Sequence, residues 1–251
     1  MNMQTSPAAS QIAASAASDS PMPIVAGPSS RFTMTMLMQL KPEGAQALAN
    51  FREQAAPLFK KYDLRIERQL KISGKGQIVG ENRFELPHLI QVISFASVSQ
   101  FKAYASDPQY QALAPQRDAG LARLTVIAGT SLDITTIATP GTGSMETRLY
   151  GVGLIRFKPN GAQGLDTFNQ RAQALFARHG MHVESMIDVQ QTMTPVGMPE
   201  AMQPQRIVVF FLDNPAAMKG YATDPEYLSL APIRDDGLEA YDFFIGSAPC
   251  N

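Results

Sequence analysis

Apolar positions change their spacing along this chain in a fixed order, and the order occurs twice. Residues 33–40 and 149–157 are apolar runs that predict strands. Leu48, Phe51, Ala55, Leu58 and Phe59 then step by three and four, as do Leu165, Phe168, Ala172, Leu175 and Phe176. Such steps predict a helix with one buried face. Lys-Pro-x-Gly precedes each helix as a turn signal. Alternation at Leu64, Ile66 and Leu70, and at Met181, Val183 and Ile187, predicts a second strand. Connectors rich in Gly or Pro are expected over 73–87 and 192–204. Residues 89–95 and 207–212 are almost wholly apolar and read as strands buried on both faces. Short helices at 97–105 and 215–222 lead to a further helix, and last strands follow at 121–129 and 240–246.

The clearest repeated stretch is DPQYQALAPQRDAGL at 107–121 and DPEYLSLAPIRDDGL at 224–238, identical at ten of fifteen positions. Asp107-Pro108 and Asp224-Pro225 predict helix starts, because Asp accepts from first-turn N–H groups and Pro needs no donor there. Tyr110 and Leu113, like Tyr227 and Leu230, share a helix face. Pro115 and Pro232 are expected to stop or kink the helix, and Gly120 and Gly237 to let the backbone turn. Arg117-Asp118 and Arg234-Asp235 leave three roles open: a local ion pair or cap, a ligand contact, or a contact with the other repeat. Residues 41–62 match 158–179 at the same offset of 117, and no insertion is needed over about a hundred residues.

The organisation expected is a loosely attached tail (1–31), a first α+β repeat (32–133), a linker (134–147) and a second repeat (148–248). Each repeat orders its elements β-α-β-β-α-β, the ferredoxin-like unit. Its helices cover one sheet face, and a fused twin can cover the other. The fold class expected is therefore α+β, two tandem ferredoxin-like repeats forming an intramolecular pseudo-dimeric α+β barrel.

Composition narrows the partners. A net charge of −1 gives no electrostatic reason to expect nucleic acid or an anionic membrane. No apolar run approaches the roughly 18 residues that span a bilayer. The first thirty residues lack Lys and Arg, so neither a secretory signal nor a transit peptide is indicated, and a cytoplasmic setting is expected. The lone Cys250 rules out a disulfide within the chain. No dinucleotide or phosphate loop, metal-ligand cluster or nucleophile elbow occurs, so no cofactor and no metal are expected.

The element order, with D-P-x-Y-x-x-L-x-P-x-R-D before the last strand, resembles the dimeric α+β barrel superfamily. Within it, the motif is most similar to that of a bacterial domain family of unknown function. The resemblance covers about 32–132 and 148–248. It implies a barrel with a small-molecule cavity in a monomeric pseudo-dimer or homodimer. Superfamily members include cofactor-independent monooxygenases, isomerases, cyclases, dehydratases and haem-degrading enzymes.

Candidate chemistry centres on the second strand. Strict alternation would place Arg65, Glu67 and Gln69, and His182, Glu184 and Met186, opposite the apolar face. Glu184 and His182 are the expected acid–base groups, with Glu67 their counterpart and Arg65 holding an anion or enolate. The competing reading makes these glutamates solvent-facing or ion-paired strand residues. His182 is also the one reasonable haem ligand. His88 and His179 read as surface or capping residues, and Tyr104 and Tyr221 as core-edge packing with a wet hydroxyl. The copies differ at Arg65/His182, Arg68/Ser185, Arg123/Ala240 and Leu124/Tyr241. The function expected is a cofactor-independent isomerase, cyclase, dehydratase or monooxygenase acting on a small apolar oxygenated metabolite between the repeats. The alternative is a non-catalytic ligand-binding or scaffold protein.

Overall fold

A computed structural model describes residues 31–81, 84–134, 146–198 and 203–248. The expected tail through residue 30, most of the linker and Cys250 lie outside them. The first repeat comprises β1 (Phe32–Leu40), α1 (Gly44–Lys61), β2 (Arg65–Val79), β3 (Leu89–Phe95), α2 (Val98–Ala105), α3 (Pro108–Ala119) and β4 (Leu121–Ser131). The second comprises β5 (Leu149–Phe157), α4 (Ala162–Arg171), α5 (Gln173–Arg178), β6 (Met181–Val196), β7 (Arg206–Leu212), α6 (Ala216–Thr223), α7 (Pro225–Asp236) and β8 (Leu238–Ser247). The strands hydrogen-bond in the order β1-β3-β2-β8-β5-β7-β6-β4, and β4 pairs back onto β1. This is the α+β barrel topology, built from two βαββαβ copies.

The chain divides into two compact units. Of the described residues, one contains those up to Gln69, Pro87–Thr130 and the stretch beginning at Gln190; the other contains those within 70–86 and 131–189 and the C-terminal elements. Each unit thus includes the outer half of the other repeat's long strand. In the second unit this arm pairs with β8, from Lys71↔Ser247 to Val79↔Tyr241. In the first, Met193 and Val196 pack on the core around Phe51, Phe95 and Tyr104. The expected connectors therefore begin too early. Alternating burial continues through Ile72, Gly74, Gly76 and Ile78, and the glycines weaken the strand signal without ending the strand.

Four further expectations change. Ile66 is 44% exposed, so it is not on the buried face predicted for β2. In β6 the register with β7 jumps between Val183 and Ser185, leaving Glu184 as the extra residue of a bulge. The bulge reverses the alternation: Met181, Val183 and Met186 share the helix-covered core, and Ile187 does not join them. Pro115 and Pro232 do not stop their helices, which continue to Ala119 and Asp236, so of the two expected effects stopping is excluded. The repeat-two counterpart of α1 is interrupted at Ala172, for which no residue difference offers a reason.

Gly120 and Gly237 have φ near −80°, so conformational freedom does not explain them. Close approach does. A Cβ on Gly44 would sit 2.1 Å from the Gly120 carbonyl oxygen, and one on Gly161 would sit 1.9 Å from that of Gly237. Each pair lets the start of the first helix touch the end of the motif helix.

Candidate functional site

The repeated motif builds one wall of a cavity in each unit. Asp107 caps α3 by accepting from the Gln109 N–H at 2.8 Å, and Asp224 caps α7 through Glu226 at 2.8 Å. Both caps also anchor the preceding long helix. Asp107 accepts from Lys61 and from the Tyr62 hydroxyl, each at 2.8 Å, which hold its carboxyl down at about 2. Asp224 meets His179 Nε2 at 2.8 Å, then the Glu226 N–H and Arg178, and is held at about 2 as well. Two turns along each motif helix, the buried arginine returns to the tyrosine. Arg117 donates to the Tyr110 hydroxyl at 2.8 Å and to Asp118 at 2.7 Å. Arg234 donates to Tyr227 at 3.1 Å and to Asp235 at 2.7 Å. Each guanidinium also stands over rings, Arg234 at 5.0 Å from Phe168 and 5.3 Å from Tyr227. Burial opposes their charge, but the paired carboxylate and phenol outweigh it and keep both arginines strongly cationic.

The two cavities differ in size. That of the first unit is about 60 Å³ and is lined by Met34, Met36, Arg52, Gln91, Tyr104 and Arg117 among others. That of the second unit is about 240 Å³ and is lined by Asn169, Val208, Phe210, Tyr221, Arg234 and Tyr241 among others. The alignment explains the difference. Met34 and Met36 become Gly151 and Gly153, while Arg52 and Gln91, hydrogen-bonded at 3.3 Å, become Asn169 and Val208.

The glycines of the second unit are covered by rings. A Cβ on Gly151 would fall 2.1 Å from Phe210 Cζ, and one on Gly153 would fall 2.6 Å from Tyr241 Cε2. Gly76, on the paired arm, is covered in the same way by Phe243 at 2.3 Å. Phe210 and Phe243 therefore lie flat against the sheet, Tyr241 meets it by its Cε2–hydroxyl edge, and the three floor the cavity, with Phe168, Phe176, Tyr221 and Tyr227 supplied by the helices. An apolar cavity of roughly 150 Å³ takes up benzene, so this one has room for a substituted aromatic ring. The smaller cavity holds no more than a water or two.

None of the four residues singled out on the second strand lines either cavity. Arg65 is exposed and meets Asp63 at 3.2 Å. Glu67 is half-exposed, accepts from the Ser94 hydroxyl and lies 4.0 Å from Arg31. His182 is buried, stacked on Phe211 at 4.7 Å, with Nε2 3.3 Å from Asp213. Glu184 is half-buried at the bulge. Strict alternation makes Met186 a neighbour of His182 on one face, whereas the bulge places it in the core with Asn169. His88 and Gln205 share one structural role, accepting the Leu40 and Phe157 backbone N–H groups at 2.9 and 2.7 Å.

The residues that sequence reasoning missed are Phe210, Tyr241, Gly151 and Gly153. Their signal lies in the differences between copies, Met34/Gly151 and Leu124/Tyr241 above all. Among the described residues no three His, Cys, Asp or Glu side chains form a metal-binding group, and no helix is long and apolar enough to cross a membrane.

No family model matches the chain, and no curated protein matches its sequence. Solved structures do. An anthrone oxidase-like protein aligns over 88% of this chain and 92% of its own, with TM-score 0.54 and 13% identity. A proposed monooxygenase from Lactobacillus acidophilus aligns over 87% and 93%, with TM-score 0.50 and 10% identity. A point mutant of chlorite dismutase from Candidatus Nitrospira defluvii aligns over 89% and 93%, with TM-score 0.53 and 9% identity. The chain has the dimeric α+β barrel fold that these proteins share.

Proposed function

We propose that this protein is a monooxygenase-type enzyme whose second unit binds a small, largely apolar, oxygen-bearing aromatic molecule and oxidises it without a bound cofactor. The observation that carries the reading is the 240 Å³ cavity floored by Phe210, Tyr241 and Phe243, with one buried cation, Arg234, at its wall. Flat rings select a flat ligand through offset or edge contacts. A few polar groups in an apolar pocket fix the orientation of what enters. The likeness to an anthrone oxidase-like protein and to a proposed monooxygenase supports oxidation as the reaction class.

In this reading the groups that meet the ligand are Arg234, Tyr221, Tyr227, Tyr241 and Asn169, and the first unit, filled by methionines, supports the fold. The test is oxygen uptake by the purified, cofactor-free protein over a panel of hydroxylated one-ring and two-ring aromatics. Uptake that depends on enzyme concentration, and is lost when Val208→Phe fills the cavity, is the expected result. Binding without uptake across the panel would favour the non-catalytic ligand-binding reading; absence of binding would remove the cavity from the account.

A further inference from the structure

Two tyrosines line the larger cavity with hydroxyls that have no hydrogen bond among the described residues. Tyr221 and Tyr241 are 7% and 8% exposed, and neither makes a hydrogen bond to the described residues. A hydroxyl beside a cavity donates to whatever acceptor enters it, a water or a ligand. Tyr227, beside them, already accepts from Arg234 at 3.1 Å. Burial pushes the Tyr241 phenol up to about 12 and raises Tyr221 further, with Arg234 opposing both shifts. At neutral pH both therefore keep their protons and act as donors. The charged groups at this wall are Arg234 and its partner Asp235, which stands outside the lining. Among the described residues no carboxylate and no imidazole lines the cavity, so its polar side favours an acceptor.

We propose that Tyr221 and Tyr241, backed by Arg234, form a donor pair that holds one oxygen of the ligand in its ionised form, as a phenolate or enolate. This rests on the reading that the cavity is the ligand site. The ligand O–H bond breaks, the proton leaves to solvent, and the electron pair stays on the oxygen between the two phenols. Hydrogen bonds to the charged form of a group favour that form. Tyr241 has Leu124 as its counterpart, so the complete pair occurs only in the second unit. The pair restricts the ligand to molecules with an acidic O–H on a flat apolar frame.

The probe is 4-nitrophenol, whose anion is yellow and whose neutral form is not. The full-length protein is titrated with the probe at one pH unit below the probe's own pKa. Absorbance reads ionisation, and calorimetry reads binding. The expected result is a bound probe that is at least half anion where the free probe is about one-tenth anion, a preference shifted about tenfold or more toward ionisation, as charge-assisted hydrogen bonds provide. Tyr241→Phe keeps the ring over Gly153 and removes only the donor; it and Tyr221→Phe should each return the shift by about threefold or more while the probe still binds. A probe that binds in its neutral form overturns the donor pair and leaves the cavity as ligand site. Full ionisation in both Phe variants overturns the assignment to these two residues. No binding by the wild type overturns the site itself.

Discussion

Replacing Gly151 and Gly153 together by alanine should close the cavity while leaving the fold intact. The Gly151 methyl would stand 2.1 Å from Phe210 Cζ and 2.5 Å from both Cε atoms. Carbon pairs settle near 3.5–4.0 Å, so the ring must retreat by roughly 1.4 Å. A ring face of roughly 40 Å² moving that far takes up on the order of 60 Å³. The Gly153 methyl would meet Tyr241 Cε2 at 2.6 Å, and a retreat of roughly 1 Å takes up on the order of 40 Å³ more. Starting from 240 Å³, the double variant keeps roughly 140 Å³, just under the size that accepts benzene. Strain costs about 1–3 kcal/mol per site, partly offset by about 0.5–1 kcal/mol as each strand glycine is replaced. The loss lies within the usual total stability of about 5–15 kcal/mol, so the variant should fold. Calorimetric titration with 4-nitrophenol should show each single variant binding about 5–50-fold more weakly and the double variant not binding measurably. A folded double variant that binds within twofold of wild type would refute the cavity as the site.

Other positions give independent checks. Asp107→Ala removes the α3 cap and the anchor for Lys61 and Tyr62, and should cost about 0.5–2 kcal/mol from the cap alone, read by urea denaturation. Asp107 and Asp224 are both held at about 2, below the ordinary value of about 3.9, so their contribution is complete above pH 4 and falls away between pH 4 and 2. Thermal melts across that range should show stability falling as pH drops, with the slope reduced in an Asp107→Asn variant. Glu184→Gln should leave 4-nitrophenol binding within twofold, since Glu184 does not line the cavity; a loss above tenfold would restore the acid–base role that its strand position suggests.

Much of the architecture is legible in the residues because the two copies agree. The helix faces at Leu48–Phe51–Ala55–Leu58 and Leu165–Phe168–Ala172–Leu175, the largely apolar third strands and the Asp-Pro caps each follow from local spacing, and each is present. The second strand is where local rules fail. Its length depends on partners far along the chain: Gly74 and Gly76 read as a loop but are held by β8. Its side-chain alternation is reversed by one inserted residue, Glu184, and a bulge has no single-residue signature in a sequence that alternates on both sides.

The site has no signature among the titratable residues of the sequence because its making is a matter of volume. Nothing in Gly151 or Gly153 announces chemistry. Their effect appears only when Phe210 and Tyr241 from adjacent strands are laid over them. Tyr241 is visible as a difference from Leu124, and Arg234 as an unexplained charge in the repeated motif. That they share one cavity is a tertiary fact.

A crystal structure of the protein soaked with 4-nitrophenol addresses the central claim most directly. The account predicts one molecule per chain, in the second unit, its ring against Phe210 and Tyr241 and its phenol oxygen within about 3 Å of the Tyr221 and Tyr241 hydroxyls. Density for the probe elsewhere, with the second unit's cavity empty, would contradict it.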